Sequence, residues 1–169
     1  VRIGHLLVRT RTSLISAGTE RMVVQFAKKN LAGKAKARPD LVHKVIEKAK
    51  RDGLVETFHA VMARLDEPLS LGYSACGEVI ALGKGTEGQF HVGQRLAIAG
   101  SGLANHADYN VVPVNLAAEV PEDVNDEEAC FGTLGAIALH GVRNMRLELG
   151  DCAAVIGTGL VGQIAVQLL

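Results

Sequence analysis

The stretch AAVIGTGLVGQIAVQLL (153–169) constrains the fold more than any other. Together with Cys152 its first residues form a short, continuous apolar run, CAAVI, which is what a strand buried on both faces requires. The run passes into G-T-G-L-V-G and then into an apolar segment of helical character. Glycines at 157, 159 and 162 have the spacing of a dinucleotide turn. The first allows a tight turn, the second lets a diphosphate approach the main chain, and the third lets a helix pack closely on its strand. The start of the helix then offers unpaired N–H groups and a partial positive charge to phosphate. Spacing alone is a weak signal; the strand–turn–helix setting, opened by Asp151, is what strengthens it. Gly157, Thr158, Gly159, Leu160, Val161 and Gly162 are therefore the expected cofactor-binding residues. The acid or base that separates NAD from NADP stands about 20 residues beyond such a turn, past Leu169, so the sequence leaves the two undistinguished.

Upstream, the periodicity changes three times. HLLVRTRTSLIS (5–16) alternates, setting Leu7, Arg9 and Arg11 on one face and Leu6, Val8 and Thr10 on the other, so a strand is expected. RPDLVHKVIEKAKRDGLVETFHAVMARLDEP (38–68) repeats apolar residues at helical spacing. Leu41, Val42, Val45, Ile46 and Ala49 share one stripe, and Leu54, Phe58, Val61, Met62 and Leu65 another. Asp40 predicts an N-cap, and Gly53 a break between two helices. Between 69 and about 121, LGYSACGEVIALG, VGQRLAIAG, HADYNVVP and NLAAEVP have the texture of short strands in a small barrel or sandwich. A further helix is expected over 127–146, with Ala129, Ala136, Ile137, Leu139 and Leu149 carried toward a domain junction.

Eighteen Lys and Arg balance 18 Asp and Glu, so no overall field draws nucleic acid or a membrane surface. The local exception lies between Lys28 and Arg51, where nine Lys or Arg meet only Asp40 and Glu47. With no aromatic residue interleaved, this is the pattern of a solvated helix face or of a patch for an anionic partner. Apolar runs stop well short of the roughly 20 residues of a membrane span, and no cationic-then-apolar leader opens the chain. A cytoplasmic protein is the expectation, and Val1 in place of Met predicts a piece of a longer parent. Cys76, Cys130 and Cys152 are odd in number, far apart and set in apolar runs, which predicts buried free thiols rather than disulfides.

The order of these segments, with SLISAGTE, LGYSACGEVIALG, VGQRLAIAG, ADYNVVP and VIGTGLVG, resembles the medium-chain dehydrogenase/reductase superfamily. These are alcohol-dehydrogenase-like proteins with a GroES-like catalytic domain. The implied fold is mixed α/β: a GroES-like β-barrel over 1–125 with a helical insert at about 21–68, a domain-linking helix over 126–150, and, at 151–169, the first strand and helix of a Rossmann cofactor domain. LISAGTERMVVQFAKKNLAGKAKARPDL is similar to the branch of bi-domain oxidoreductases, which implies a downstream sugar-dehydrogenase-like module in the parent. On that basis residues 1–169 alone are expected to have little activity or cofactor affinity.

Departures from the family pattern bear on metal. Zinc-dependent members carry Gly-Ile-Cys-Gly-Thr-Asp, whose Cys is a ligand; here Ile15, Ser16, Ala17, Gly18, Thr19 and Glu20 stand in that place. The Gly-His-Glu of the second ligand is replaced by Gly72, Tyr73 and Ser74. The third ligand position falls close to Gly132 or Thr133, with Cys130 offset, and the closely spaced cysteines of the structural-zinc loop are missing. Zinc takes three or four N, S or O ligands, and Ala17 offers no lone pair. His5, His43, His59, His91, His106 and His140 show no ligand-like spacing, so no metal is expected.

Without zinc, another group must polarise a carbonyl or move a proton. The resemblance makes Thr19, which matches a proton-relay hydroxyl, and Tyr73, which replaces a cleft-facing ligand, the catalytic candidates. Glu20, Ser74 and Arg21 would orient them or balance charge. The plain alternative is that Tyr73 only fills the volume left by metal and His; Tyr109 is expected in packing and His140 as a satisfied helix histidine. The implied activity is hydride transfer between NAD or NADP and a small polar substrate, with a sugar or sugar derivative suggested by family association. The rival is a non-catalytic binding or scaffolding module that uses the GroES-like domain and its basic insert, motivated by the loss of both metal-ligand motifs. Neither nucleic acid nor membrane is an expected partner, and a homo-oligomer is left open.

Overall fold

A computed structural model describes residues 1–29, 33, 36, 39–53, 56, 57, 61 and 70–169. In chain order the named elements are β1 (His5–Ser13), α1 (Ala17–Ala27), α2 (Pro39–Asp52), β2 (Ser74–Leu82), β3 (Arg95–Ala99), β4 (Tyr109–Pro113), β5 (Ala117–Glu119), α3 (Asp126–Ala129), α4 (Gly132–Met145) and α5 (Leu160–Leu168). They fall into two compact units, Val1–Ser16 with Ser70–Leu169, and Ala17–Leu69.

In the first unit all the strands pair antiparallel, in the order β4-β1-β2-β3-β5. Alternation in β1 works as its sequence predicts: Leu6 and Val8 are fully buried, while Arg9 and Arg11 are exposed. The register sets Val8 against Val79 and Leu6 against Val112, so one face of the sheet gathers these residues with Leu96 and Ile98 into a core. The four glycine-punctuated segments each supply a strand. Their ladder nevertheless ends at β4 and β5 and does not close into a barrel among the described residues, because β4 pairs only with β1 and the three-residue β5 only with β3.

The opposite face of the sheet carries Cys76 and Ala97, which pack with Val120, Ala129 and Cys130. The single helix expected over 127–146 is two. Asn125 accepts a hydrogen bond from the Glu128 backbone at 2.8 Å, while Glu128 accepts one from the Asn125 backbone at 3.2 Å, a capping box that starts α3. Cys130 and Phe131 then form an elbow before α4, which ends at Arg146 in the left-handed conformation (φ 49°). Ala129 of α3, Cys130 of the elbow, and Leu134 and Ala138 of α4 are buried; Ile137 and Leu149, expected at a junction, are exposed.

An ionic ladder crosses this second face. Glu78 accepts from Arg11 at 2.7 Å and from Arg9 at 3.1 Å. Asp126 meets Arg95 at 2.9 Å and Arg11 at 3.5 Å, and Arg95 also donates to the Val124 carbonyl. Helix α5 forms where expected and packs on α4. The strand expected over 152–156 does not form: a strand exists through its ladder, and no described residue pairs with this run. That also corrects the expectation for Cys152, which is exposed while Cys76 and Cys130 are buried free thiols.

In the second unit α2 begins at Pro39, whose missing N–H costs nothing in a first turn. Asp40, expected as the N-cap, therefore lies inside the helix. Gly53, at φ +94°, ends it, as the break predicts, and donates to the Ala49 carbonyl at 3.1 Å. Val45 and Ile46 of the expected apolar stripe are exposed. Leu54, Phe58, Met62 and Leu65, and Lys34 and Arg38 of the basic run, lie outside the described residues. Among the described residues no helix is long and apolar enough to cross a membrane.

Candidate functional site

The glycine-rich turn divides its work among three positions. Gly157 adopts φ +99°, which residues with a Cβ rarely take. Gly159 is the N-cap of α5, and a Cβ placed there would meet nothing within 4 Å. Gly162 is the opposite case, since a Cβ there would collide with the Gly157 carbonyl. Turn, open approach and close packing thus fall on the first, second and third glycine, the order that a diphosphate-binding turn needs. Gln163, which sequence reasoning missed, donates from Nε2 to the Thr158 carbonyl at 3.1 Å and from its backbone to the Gly159 carbonyl at 2.9 Å.

Tyr73 and Ser74 stand where β2 begins. The Tyr73 side chain is half-buried, and its phenol makes no hydrogen bond among the described residues. Its carbonyl is held from two sides, by Gly100 N at 2.9 Å and Thr133 Oγ1 at 3.4 Å. Ser74 is buried, and its hydroxyl donates to the Cys130 carbonyl at 2.6 Å while the Thr133 N–H approaches it at 3.4 Å. Ser74 thus fastens the α3–α4 elbow to the sheet. Gly72, at φ +96°, lets the chain pass close beneath residues 105–106, since a Cβ would come within 2.6 Å of His106 N. That closeness brings His106 Nδ1 within 2.9 Å of Ser13 Oγ. Partners 93 residues apart leave no sequence signal for such a pair.

Thr19 and Glu20 belong to the other unit, in the first turn of α1. Thr19 is exposed and Glu20 buried, an acid at the helix end that favours negative charge. Ala17 opens that helix. Cys130, near the third family ligand position, is buried and donates from Sγ to the Glu127 carbonyl at 3.0 Å, and burial pushes its pKa up. Among the described residues no three His, Cys, Asp or Glu groups gather as metal ligands would. Tyr109, expected in packing, is 58% exposed. His140 is exposed and shares a 2.9 Å hydrogen bond with Asn144 one turn on.

No family model matches the chain. It is similar to (R,R)-butanediol dehydrogenase of Bacillus subtilis, 28% identical over 126 residues that cover 60% of this chain and 36% of that protein. Among solved structures it is similar to galactitol-1-phosphate dehydrogenase from Escherichia coli, with a TM-score of 0.66 and 17% identity over 99% of this chain and 45% of that one. A mycobacterial protein complexed with NADPH matches with a TM-score of 0.61 and 21% identity, over 98% of this chain and 41% of that one. The proteins to which the chain is similar are medium-chain dehydrogenase/reductases. Medium-chain dehydrogenase/reductases of this kind are oxidoreductases, and so enzymes. The chain spans less than half the length of the solved medium-chain neighbours, and at these identities their likeness speaks to the fold alone.

Proposed function

We propose that the protein is a zinc-independent, NAD(P)-dependent oxidoreductase that transfers hydride to or from a small polar substrate such as a diol, a sugar or a sugar derivative. The observation that carries this is the division of labour in the glycine turn, with Gly157 turning, Gly159 open and Gly162 closed by the Gly157 carbonyl. Residues 157–162 would hold the diphosphate with main-chain N–H groups. When bound, the nicotinamide supplies or accepts the hydride. Tyr73 is the group to bond the substrate oxygen, because its backbone is fixed from two sides while its phenol is uncommitted among the described residues. In the reducing direction it donates the proton that the oxygen needs. The family resemblance also offers Thr19, in the first turn of α1, as a proton-relay hydroxyl and Glu20 beside it as a charge-balancing group. Ser74, its hydroxyl already given to the Cys130 carbonyl, serves by fixing the frame.

The donor set does not fit zinc. Ala17 has no ligating atom, Tyr73 stands in place of the second ligand, and Cys130, offset from the third position, turns its Sγ to the Glu127 carbonyl at 3.0 Å. The similarity to a butanediol dehydrogenase supports a polyol-like substrate.

The test uses the full-length protein. NADH and NADPH should each be titrated by their own fluorescence, and turnover then followed on diols and sugar alcohols with and without a strong zinc chelator. Tyr73→Phe should lower kcat about 100-fold, and Thr19→Ala less, in keeping with the worth of a positioned proton donor, with chelation leaving the rate unchanged. A protein that binds neither nucleotide is not this enzyme. Binding without turnover on any such substrate would favour the binding-module alternative.

A further inference from the structure

We infer that Gln163 is a positioning residue for the diphosphate: it sets the peptide plane that aims the Gly159 N–H away from helix α5. The inference rests on the proposed nucleotide site and adds to it a residue outside the glycine motif.

The turn has two carbonyls that could point either way, those of Gly157 and Thr158. The first is fixed by packing, because it lies against the Cα of Gly162. The second is drawn to the helix by the Gln163 amide at 3.1 Å. A peptide is planar and trans, so a carbonyl turned toward the helix turns the N–H of the next residue away from it. Holding the Thr158 carbonyl therefore holds the Gly159 N–H outward, at the glycine where a Cβ would meet nothing within 4 Å. Gln163 can do this because it follows Gly162 directly, at the point of closest approach between turn and helix. Its own backbone N–H bonds the Gly159 carbonyl at 2.9 Å, and its carbonyl accepts from Gln167 at 3.3 Å. Its Cα is thus anchored while the side chain reaches back. A glycine turn without this brace would leave the Thr158–Gly159 plane free to rotate, and a phosphate would have to order it on binding.

Gln163→Met keeps length and helix preference but removes the donor; Gln163→Glu keeps shape and presents a lone pair to the carbonyl. In full-length protein labelled with 15N-glycine, NADPH and NADH affinity and the Gly159 amide resonance are measured together. Gln163→Met should weaken dinucleotide binding about tenfold, the worth of one hydrogen bond to a charged group, and Gln163→Glu should weaken it further. The Gly159 amide should shift on saturation in the wild type and far less in either variant, with melting temperatures unchanged. Variants that bind within twofold of a binding wild type overturn the role of Gln163 and leave the proposed function standing. Loss of affinity accompanied by a falling melting temperature overturns it too, since that marks a merely structural side chain. A wild type that binds no dinucleotide removes both.

Discussion

The three cysteines show how far environment overrides residue type. Burial first, and then the negative charge of Asp126 3.5 Å away, pushes the Cys76 thiol up to about 12, and burial raises Cys130 as well. Cys152 is exposed. Since the thiolate is the nucleophile, an aromatic disulfide reagent near neutral pH should consume one thiol per native chain quickly and the other two only on unfolding. Cys152→Ser should abolish the fast phase; a fast phase that survives would mean that Cys76 or Cys130 opens readily to solvent. The sequence placed two of these thiols correctly. It missed the third because the apolarity of CAAVI announces burial only where neighbouring strands exist to provide it, and none of the described residues does so.

Elements are tied together by fewer bonds than their number suggests. The α3–α4 elbow meets the sheet through the Ser74 hydroxyl at 2.6 Å and the looser Thr133 contacts at 3.4 Å. Ser74→Ala leaves the buried Cys130 carbonyl without that donor and should cost about 1–3 kcal/mol in denaturant unfolding, whereas Thr133→Val should cost less, because bonds of that length are marginal. Equal losses would mean that the elbow is held mainly by apolar contact. Strands β1 to β5 were legible because alternation and glycine punctuation are local. The start of the helical segment was legible too, in Asn125 and Glu128 at capping-box spacing, but the break at Cys130 and Phe131 carries no side-chain cap and so no comparable local signal. Which side chains of α4 are buried was not readable: Leu134 and Ala138 won over Ile137 because Gly132 seats the helix start against Ala97, 3.3 Å from where a Cβ would lie.

At the scale of the whole molecule, zero net charge hides a directed arrangement. The ladder of Arg9, Arg11, Glu78, Asp126 and Arg95 joins β1, β2, β3 and α3 across 69 residues of sequence between Arg9 and Glu78. No local pattern could reveal it, since strand order depends on which distant segments meet. Hydrogen bonds from Arg11 and then Arg9 hold the Glu78 carboxyl below the ordinary range. A folded value beneath the unfolded one adds stability that is complete above the unfolded value and is lost as pH falls through the folded one. Melting temperatures of the wild type and Glu78→Gln should therefore differ at about pH 7 and begin to converge below about pH 4.3, the ordinary glutamate value. A constant gap into acid would show that the carboxylate charge is not its source.

The same dependence of one position on another governs the turn, where the Gly157 carbonyl fills the space that a side chain at 162 would need. The two glycines therefore make a single heritable unit: a lineage that admits even a methyl group at 162 has to redraw the loop at 157, so drift should strike both sites or neither.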